Sequence, residues 1–412
     1  MALLDKLKRQ YARLLIREGV NLQPGQRLVL TSPVEAAEFA RLCAGEAYDA
    51  GCGEVILRWQ DDAMTRMKYL RAADAVFDRV NPWDALLPET CSAEGAAWLV
   101  LDAENPDNLR GADIERLRRA RIASGNALRA FRERETRNEF PWCIAGVATP
   151  GWAGAVFPAL SPAEATERLW GEILRACRVT PEADAVEAWQ AHSEELKTRV
   201  EKLNELDFQT LRYRNALGTD LTLALPEGHF WAGGAEKCVK SGLMFSPNLP
   251  TEEVFTLPER ESAEGVVYAS RPLVYDGTLI EGLRFTFARG RIAEVSARQG
   301  EAVLRGAVSV DEGAAYLGEV ALVPHDSPIS ASGILFYSTL FDENASCHFA
   351  FGDSYPCIRG AETMTAEELR ARGANSSMTH VDFMLGSADL SVVGTTRDGR
   401  EVPVMENGRF VL

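Results

Sequence analysis

The sequence has 412 residues, of which 46% are hydrophobic and 8% aromatic, a composition typical of soluble globular proteins. Its 44 lysines and arginines stand against 60 aspartates and glutamates, so the formal net charge is −16. Such an acidic chain is not expected to have nucleic acid or an anionic membrane as its main partner, and its length favours two domains.

The first half of the chain alternates helical and strand patterns. Its N-terminal residues are charged throughout and predict an amphipathic helix, not a signal peptide. Strands alternating with helices of about 10–15 residues predict βαβ units and a mainly parallel sheet. The strands are expected at residues 27–32, 54–59, 96–105 and 142–150, and helices at 35–51, 161–179 and 181–206, the last with Pro181 in its first turn.

After about residue 205 short strands with alternating polarity replace this pattern. Four dipeptides typical of tight turns separate them, which predicts antiparallel hairpins. They are Asp276-Gly277, Arg289-Gly290, Asp398-Gly399 and Asn407-Gly408. We therefore predict an α/β N-terminal domain with a mainly parallel sheet at residues 1–204, and a β-rich (α+β) C-terminal catalytic domain at residues 205–412.

The cysteines and the apolar runs of the sequence indicate the cellular compartment of the protein. The eight cysteines include no C-x-x-C pair, which is typical of reduced thiols and predicts a cytoplasmic protein. No apolar run reaches the ~20 residues of a membrane span.

The candidate chemistry lies in the second half. Of the five histidines, His192 falls on a polar helix and is expected at the surface. Glu319 interrupts an apolar strand, and a glutamate is rarely buried there without a partner. In a neutral core this carboxyl group would have a raised pKa, whereas a neighbouring divalent cation would keep it ionised.

Four carboxylates and two imidazoles form a set rich in oxygen and without sulfur. Such a set suits two hard or borderline divalent ions, Zn, Co, Mn or Mg. Two ions ~3.5–4 Å apart can activate water and polarise a carbonyl oxygen during hydrolysis. The candidate ligands are Glu253, Glu319, Glu343, His348, His380 and Asp382.

Each candidate also has an ordinary structural interpretation. His380 and Asp382 lie two residues apart on a predicted strand, so they share a face and could form a hydrogen bond with each other or be solvated. Glu343 could be a carboxylate at a helix start. Glu252 and Glu253 could form a turn before a strand.

Two further residue types leave alternatives open. His229 could lie in a loop near the site or in an ordinary turn. Cys347 and Cys357 raise the possibility of a thiol nucleophile beside His348, although adjacency in sequence does not establish the required geometry.

Four ordered segments of the chain resemble the aminopeptidase T / aminopeptidase S / PepS family of metallopeptidases. Looser similarity in the N-terminal half extends this resemblance over nearly the whole chain. Ser354 and Ala374 depart from the family pattern, which limits what the resemblance implies about the substrate pocket. The matching segments are PNLPTEEVFTLP, LGEVALVP followed by SPI, LFDENASCHFAFGDSYP and NSSMTHVDFMLGS.

The resemblance implies a homodimeric, two-metal aminopeptidase that acts on peptides with a free N-terminus. It carries the six ligand positions onto this chain and implies that Glu319 bridges the ions. It also implies that Tyr355 donates a hydrogen bond to the oxyanion, although this residue could be an ordinary core aromatic. Glu253 or Glu319 would carry the proton from water to the leaving amine.

Two other classes of protein are compatible with part of the set. His348, His380 and Asp382 alone match the two-histidine, one-carboxylate site of a mononuclear non-haem iron ring-cleaving dioxygenase. That site does not need Glu253, Glu319 or Glu343. Alternatively, the ions would be structural supports in a binding protein, but six ligands shared by two ions leave open coordination positions.

Overall fold

A computed structural model of the protein describes residues 2–103, 105–275 and 278–412. The chain forms two compact units. The first contains Met1–Ser193 and Ala235–Pro250, and the second contains Glu194–Gly234 and Thr251–Leu412. The domain division at residue 204 stays a prediction.

The helices concentrate in the first half of the chain and the strands in the second. The helices are α1 (Ala2–Leu14), α2 (Ala37–Asp49), α3 (Asp62–Arg71), α4 (Pro82–Ala93), α5 (Ile114–Ala127), α6 (Arg129–Thr136), α7 (Pro150–Val156), α8 (Pro162–Ala176), α9 (Ala185–Leu206), α10 (Glu301–Ala307), α11 (Pro328–Ser332), α12 (Thr339–Asp342) and α13 (Ala366–Ala371). Among the described residues, no helix is long and apolar enough to cross a bilayer.

The strands are numbered β1 to β21 in chain order. They are β1 (Arg27–Pro33), β2 (Glu54–Gln60), β3 (Ala97–Asp102), β4 (Trp142–Gly146), β5 (Phe208–Arg214), β6 (Asp220–Ala224), β7 (Glu236–Lys237), β8 (Met244–Phe245), β9 (Asn248–Leu249), β10 (Val254–Thr256), β11 (Glu264–Tyr268), β12 (Leu273–Tyr275), β13 (Thr278–Ile280), β14 (Arg284–Ala288), β15 (Arg291–Ser296), β16 (Leu317–Leu322), β17 (His348–Gly352), β18 (His380–Met384), β19 (Ser391–Thr396), β20 (Glu401–Glu406) and β21 (Arg409–Phe410).

The first unit is built on a parallel sheet with the strand order β2-β1-β3-β4-β9. All of its strand pairs are parallel. Residues 28–32 of β1 are buried without alternation, as expected for a parallel strand with both faces covered. The predicted parallel sheet is confirmed.

Two expectations for α9 are wrong. The helix begins at Ala185, not at Pro181, because Asp184 Oδ1 accepts hydrogen bonds from the backbone N–H groups of Val186 and Glu187, at 3.0 and 3.3 Å, and forms the cap. His192 is only 4% exposed and packs edge-on against Trp189, with ring centroids 5.2 Å apart. Packing of this helix face therefore outweighs the polar character that predicted a surface position.

The second unit contains two antiparallel sheets, which confirms the predicted β-rich half. A four-stranded sheet has the order β10-β16-β17-β18. An eight-stranded sheet has the order β15-β14-β11-β6-β5-β19-β20-β21.

Three of the four predicted hairpin turns are confirmed. Arg289-Gly290 joins β14 to β15, and Asn407-Gly408 joins β20 to β21; all four residues have positive φ, from 48° to 75°. Asp398-Gly399 joins β19 to β20. The fourth pair, Asp276-Gly277, lies outside the described residues.

The core of the second unit lies between its two sheets. Phe349 of β17 packs edge-on against Tyr213 of β5, with ring centroids 4.9 Å apart. Phe383 of β18 packs in the same way against Phe285 of β14, at 5.0 Å. Burial of each phenylalanine side chain stabilises the fold by on the order of 1.5–3 kcal/mol relative to leaving it exposed. One face of the four-stranded sheet therefore packs against the eight-stranded sheet, and polar side chains can occupy its other face.

Candidate metal centre

The strand register places four of the candidate ligands, Glu319, His348, His380 and Asp382, on the face of the four-stranded sheet that points away from the core. Ala350 of β17 lies opposite both Glu319 of β16 and Asp382 of β18, and Gly352 lies opposite His380. Directly opposed residues, and residues two apart on one strand, share a face. The prediction that His380 and Asp382 share a face is therefore confirmed.

A β-bulge at Gly318 turns the Glu319 side chain towards this face. Leu317 pairs with Phe351 in the core, and Glu319 pairs with Ala350, so one extra residue is inserted in β16. In a regular strand Leu317 and Glu319 would point the same way. A Cβ atom on Gly318 would lie 2.1 Å from the Asp353 carbonyl oxygen, so the close approach at this bulge requires glycine.

Glu319 is common to two clusters of ligand atoms. Its carboxylate lies with Glu253 and His348 in one cluster, and with His380 and Asp382 in the other; within each cluster the atoms are within 4.8 Å of one another. Glu319 is 5% exposed. One buried carboxylate thus belongs to two potential cation sites.

The two oxygens of Glu319 face different imidazoles. Its Oε1 lies 3.5 Å from His348 Nε2, and its Oε2 lies 3.4 Å from His380 Nε2. Each imidazole also faces a second carboxylate: His348 Nε2 lies 3.2 Å from Glu253 Oε2, and His380 Nε2 lies 3.3 Å from Asp382 Oδ1. This arrangement can hold two cations at neighbouring positions, with the Glu319 carboxylate common to both.

Backbone carbonyl groups fix the tautomer of both histidines. His348 Nδ1 lies 3.1 Å from the Ser346 carbonyl oxygen, and His380 Nδ1 lies 2.8 Å from that of Asp353. Because a carbonyl oxygen only accepts, both Nδ1 atoms carry the hydrogen. When such a ring is neutral, its Nε2 lone pair points into the space between the ring and the carboxylates, where a metal could bind. This is the usual arrangement of a histidine that binds a metal.

The histidines and carboxylates of the two clusters shift one another's pKa values. Burial alone would lower the pKa of His380, but Asp382 and Glu319 raise it to about 12. Burial opposes charge on His348 too, yet Glu253 and Glu319 raise its pKa well above the ordinary value. Burial would raise the pKa of Glu319, but the two imidazoles lower it to about 2.

The ligand atoms fit a divalent cation. Burial raises the pKa of Glu253, and the nearby Glu319 and Asp382 charges add to this effect. Its Oε2 is buried and, among the described residues, has no partner in hydrogen-bond geometry, although His348 Nε2 lies 3.2 Å away. A buried carboxylate oxygen without a hydrogen bond costs free energy that a bound cation would offset. Oxygen and imidazole donors without sulfur suit Zn, Co, Mn or Mg.

Glu343 lies near this centre but in neither cluster. It begins the 3₁₀ turn Glu343–Ala345 and is partly buried. Burial raises its pKa well above the ordinary value, and the charges of Glu253 and Asp382 raise it further. Its carboxylate is therefore close enough to interact with the charges of Glu253 and Asp382, but it belongs to neither cluster of ligand atoms.

Tyr355 lies beside the centre, and its interpretation as a core aromatic is wrong. The residue follows β17 and is 49% exposed. Its ring packs edge-on against His380, with centroids 5.6 Å apart, and contacts Phe255 at 5.5 Å. Despite its exposed edge, desolvation by the surrounding protein raises the pKa of the phenol well above 10.0, and Glu319 and other carboxylates raise it further. The phenol therefore stays protonated at neutral pH and can donate a hydrogen bond.

The thiols and His229 lie outside the two clusters. Cys347 is buried, its sulfur contacts the backbone of Val323, and burial raises its pKa to about 11. Such a thiol is not an activated nucleophile. Cys357 is buried too. His229 is buried, and its Nδ1 lies 3.0 Å from the Pro226 carbonyl oxygen.

Two buried asparagines near the site were missed from sequence. Asn375 donates from Nδ2 to the Gly352 carbonyl oxygen at 2.6 Å and accepts from Arg260 Nε at 3.1 Å. It thereby fixes the end of β17, next to the Asp353 carbonyl that orients His380. Asn344 adjoins Glu343. Their one signal in the sequence is that both lie inside the segments that contain the candidate ligands.

Comparisons with known proteins extend over nearly the whole chain. Residues 4–410 match a family described as Thermophilic metalloprotease (M29). The chain is 44% identical to Aminopeptidase AmpS of Bacillus subtilis (strain 168) and 45% identical to Aminopeptidase T of Thermus aquaticus, in each case over 97% of both chains.

Two solved structures share the fold. Wild-type AmpT from Thermus thermophilus matches with a TM-score of 0.92 and 42% identity, over 99% of this chain and 100% of that one. A 2,5-dihydroxypyridine dioxygenase from Pseudomonas putida KT2440 matches with a TM-score of 0.56 over 99% of this chain and 97% of that one. At 12% identity, the second match concerns the fold alone.

Proposed function

Because the chain belongs to the thermophilic metalloprotease family (M29), we propose that it is an aminopeptidase that removes the N-terminal residue of peptides with the help of two divalent ions. Family membership makes it a peptide hydrolase that depends on a divalent metal. The number of ions, their ligands and the mechanism are the proposed part.

The observation that carries this proposal is the position of Glu319 between two clusters. Glu253, Glu319 and His348 would hold one ion, and Glu319, His380 and Asp382 the other. Glu343 is the sixth proposed ligand, which the family resemblance supports; it is partly buried and begins a 3₁₀ turn. Zn, Co, Mn and Mg all suit this donor set.

Bound at this centre, two divalent ions would lower the pKa of water and polarise the scissile carbonyl group. Glu253 or Glu319 would carry the proton from water to the leaving amine. Tyr355 would donate its phenolic hydrogen to the oxygen that becomes negatively charged.

The ions themselves would select a free N-terminus. A neutral α-amine would offer a lone pair to a divalent ion held at this centre, whereas an acylated N-terminus would not.

We expect the purified protein to release p-nitroaniline from leucine p-nitroanilide but not from the N-acetyl derivative, which is the matched control. A chelator should reduce the rate by more than ~100-fold, because loss of outer partners of a metal ligand alone costs about 10–100-fold. Added Zn, Co or Mn should restore it. Chelator-resistant release, or equal cleavage of the acetylated substrate, would contradict the proposal.

The mononuclear dioxygenase remains the rival function. It would use His348, His380 and Asp382 but neither Glu253 nor Glu319, both of which lie buried beside His348. The cluster thus favours the peptidase. One bound iron per chain, with no second metal, would favour the dioxygenase.

We also propose that the protein is a homodimer that works in the cytoplasm. The family resemblance supports the dimer, and eight cysteines without a C-x-x-C pair are consistent with a reducing compartment. Sedimentation of the purified chain at the mass of a monomer would contradict the dimer.

A further inference from the structure

Asn344 connects the two chain segments that carry Glu253 and Glu343. It is fully buried, with 0% of its surface exposed. Its Oδ1 accepts a hydrogen bond from the backbone N–H of Glu252 at 2.7 Å, which joins residues 92 positions apart. Its Nδ2 donates to the Leu340 carbonyl oxygen at 2.9 Å and to Glu343 Oε1 at 3.4 Å. One side chain therefore touches both segments.

These contacts require a carboxamide group. Asparagine offers an acceptor and two donors on one short side chain, and here the acceptor meets an N–H while the donors meet a carbonyl and a carboxylate. Aspartate of the same size would keep the acceptor but would direct an oxygen at Leu340 and Glu343. Leucine would lose all three hydrogen bonds.

The asparagine itself is held by the surrounding backbone. Ser327 Oγ donates to the Asn344 carbonyl oxygen at 3.3 Å. The same Oγ accepts from the N–H of Ser330 at 3.1 Å and caps α11. Asn344 also lies inside the 3₁₀ turn Glu343–Ala345. It is thus a fixed point from which other groups can be aligned.

The proposed ligands that depend on Asn344 are those outside the sheet. Glu319, His348, His380 and Asp382 lie in strands, where the hydrogen-bond ladder fixes their backbone. Glu253 precedes β10, whose pairing begins at Val254, and Glu343 lies in a turn. For these two residues, Asn344 takes over the positioning that the ladder gives the others.

We propose that Asn344 is a positioning residue that sets the affinity of the ion held by Glu253, Glu319 and His348. It aligns the Glu253 carboxylate through the N–H of Glu252, and it orients Glu343 through its own Nδ2. The ion held by Glu319, His380 and Asp382 does not depend on it, because all of those ligands belong to strands. This inference rests on the proposed two-ion site.

The test is a Co²⁺ titration of the metal-free chain, with a competing chelator and with the visible absorption of bound Co²⁺ as a second readout. The wild-type chain should bind two ions. Asn344→Leu should weaken one of them by about 10–100-fold, the usual effect of losing an outer partner of a metal ligand, and leave the other within about threefold. Asn344→Asp should have the same effect and decides the matter if the leucine variant does not fold.

Asn204→Leu is the matched control. Asn204 makes the same kind of paired contact, donating to and accepting from the backbone of Trp231 at 3.1 and 2.8 Å, but in a segment that carries none of the proposed ligands. It should leave both affinities unchanged. If the Asn344 variants bind both ions as tightly as wild type, or lose both equally, the inference is wrong. A wild-type chain that binds fewer than two ions would instead overturn the proposed function, and the inference with it.

Discussion

Replacement of Glu319 by glutamine should remove both metal ions and lower kcat/KM by more than ~100-fold. The carboxylate is the one group common to the two clusters, and each of its oxygens faces a different imidazole. Glutamine has nearly the same shape, but it keeps a single acceptor oxygen and places an NH₂ group where the second oxygen was. Loss of an outer partner of a ligand costs about 10–100-fold, and loss of a shared ligand should cost more. Metal content and kcat/KM on leucine p-nitroanilide are the measurements.

Glu135→Gln provides the control for this substitution. Burial also raises the pKa of Glu135, but this residue lies on α6 in the other unit. The control should keep two ions and wild-type activity. If the Glu319 variant does the same, Glu319 has no place in the centre.

The affinity of the metal-free chain for divalent ions should rise steeply with pH. Asp382 and Glu319 hold the pKa of His380 at about 12 against the effect of burial, and Glu253 and Glu319 hold that of His348 well above the ordinary value. Both imidazoles must therefore lose a proton before they bind a metal. Each displaced proton changes the apparent affinity by up to about tenfold per pH unit, so two give up to about 100-fold. Chelator-competed titrations at about pH 6, 7 and 8 measure the slope.

The stability of the metal-free chain should change with pH in the opposite direction. A histidine whose folded-state pKa is raised stabilises the fold below its ordinary pKa of 6.5, and this contribution is lost as the pH rises towards about 12 for His380. Glu253 and Glu343 act in the same direction above 4.5, because their pKa values are raised. Glu319, with its pKa lowered to about 2, stabilises the fold above 4.5 and loses this contribution towards pH 2.

The metal-free chain should therefore unfold at a lower temperature at about pH 9 than at about pH 6, and bound metal should reduce this difference. Thermal unfolding with and without metal at the two pH values checks this. A metal affinity that does not change with pH would mean that the two imidazoles are neutral before binding, contrary to the account.

Local patterns in the sequence predicted much of the fold. Alternating strands and helices gave the parallel sheet of the first unit, and Arg289-Gly290 marked a hairpin because glycine readily adopts the positive φ that this turn needs. The period of two along β18 placed His380 and Asp382 on one face. These features depend on neighbouring residues, so a single sequence can reveal them.

Other features depend on residues far apart in the chain. At the Gly318 bulge the backbone of Asp353 comes so close that a side chain would not fit, and nothing near Gly318 in the sequence signals that contact. The bond between Asn344 and Glu252 spans 92 residues. His192 lies on a polar helix, yet tertiary packing buries it. Such long-range contacts decide where the side chains meet, which is why the candidate ligands could be named from sequence but not arranged.

The most direct test of the two-ion site is an anomalous difference map from crystals of the protein grown with Co²⁺. We expect two peaks, one beside Glu253 and His348 and one beside His380 and Asp382, each about 2.0–2.2 Å from an oxygen of Glu319. A single peak at His348, His380 and Asp382 without contact to Glu253 or Glu319, or peaks elsewhere in the chain, would contradict it.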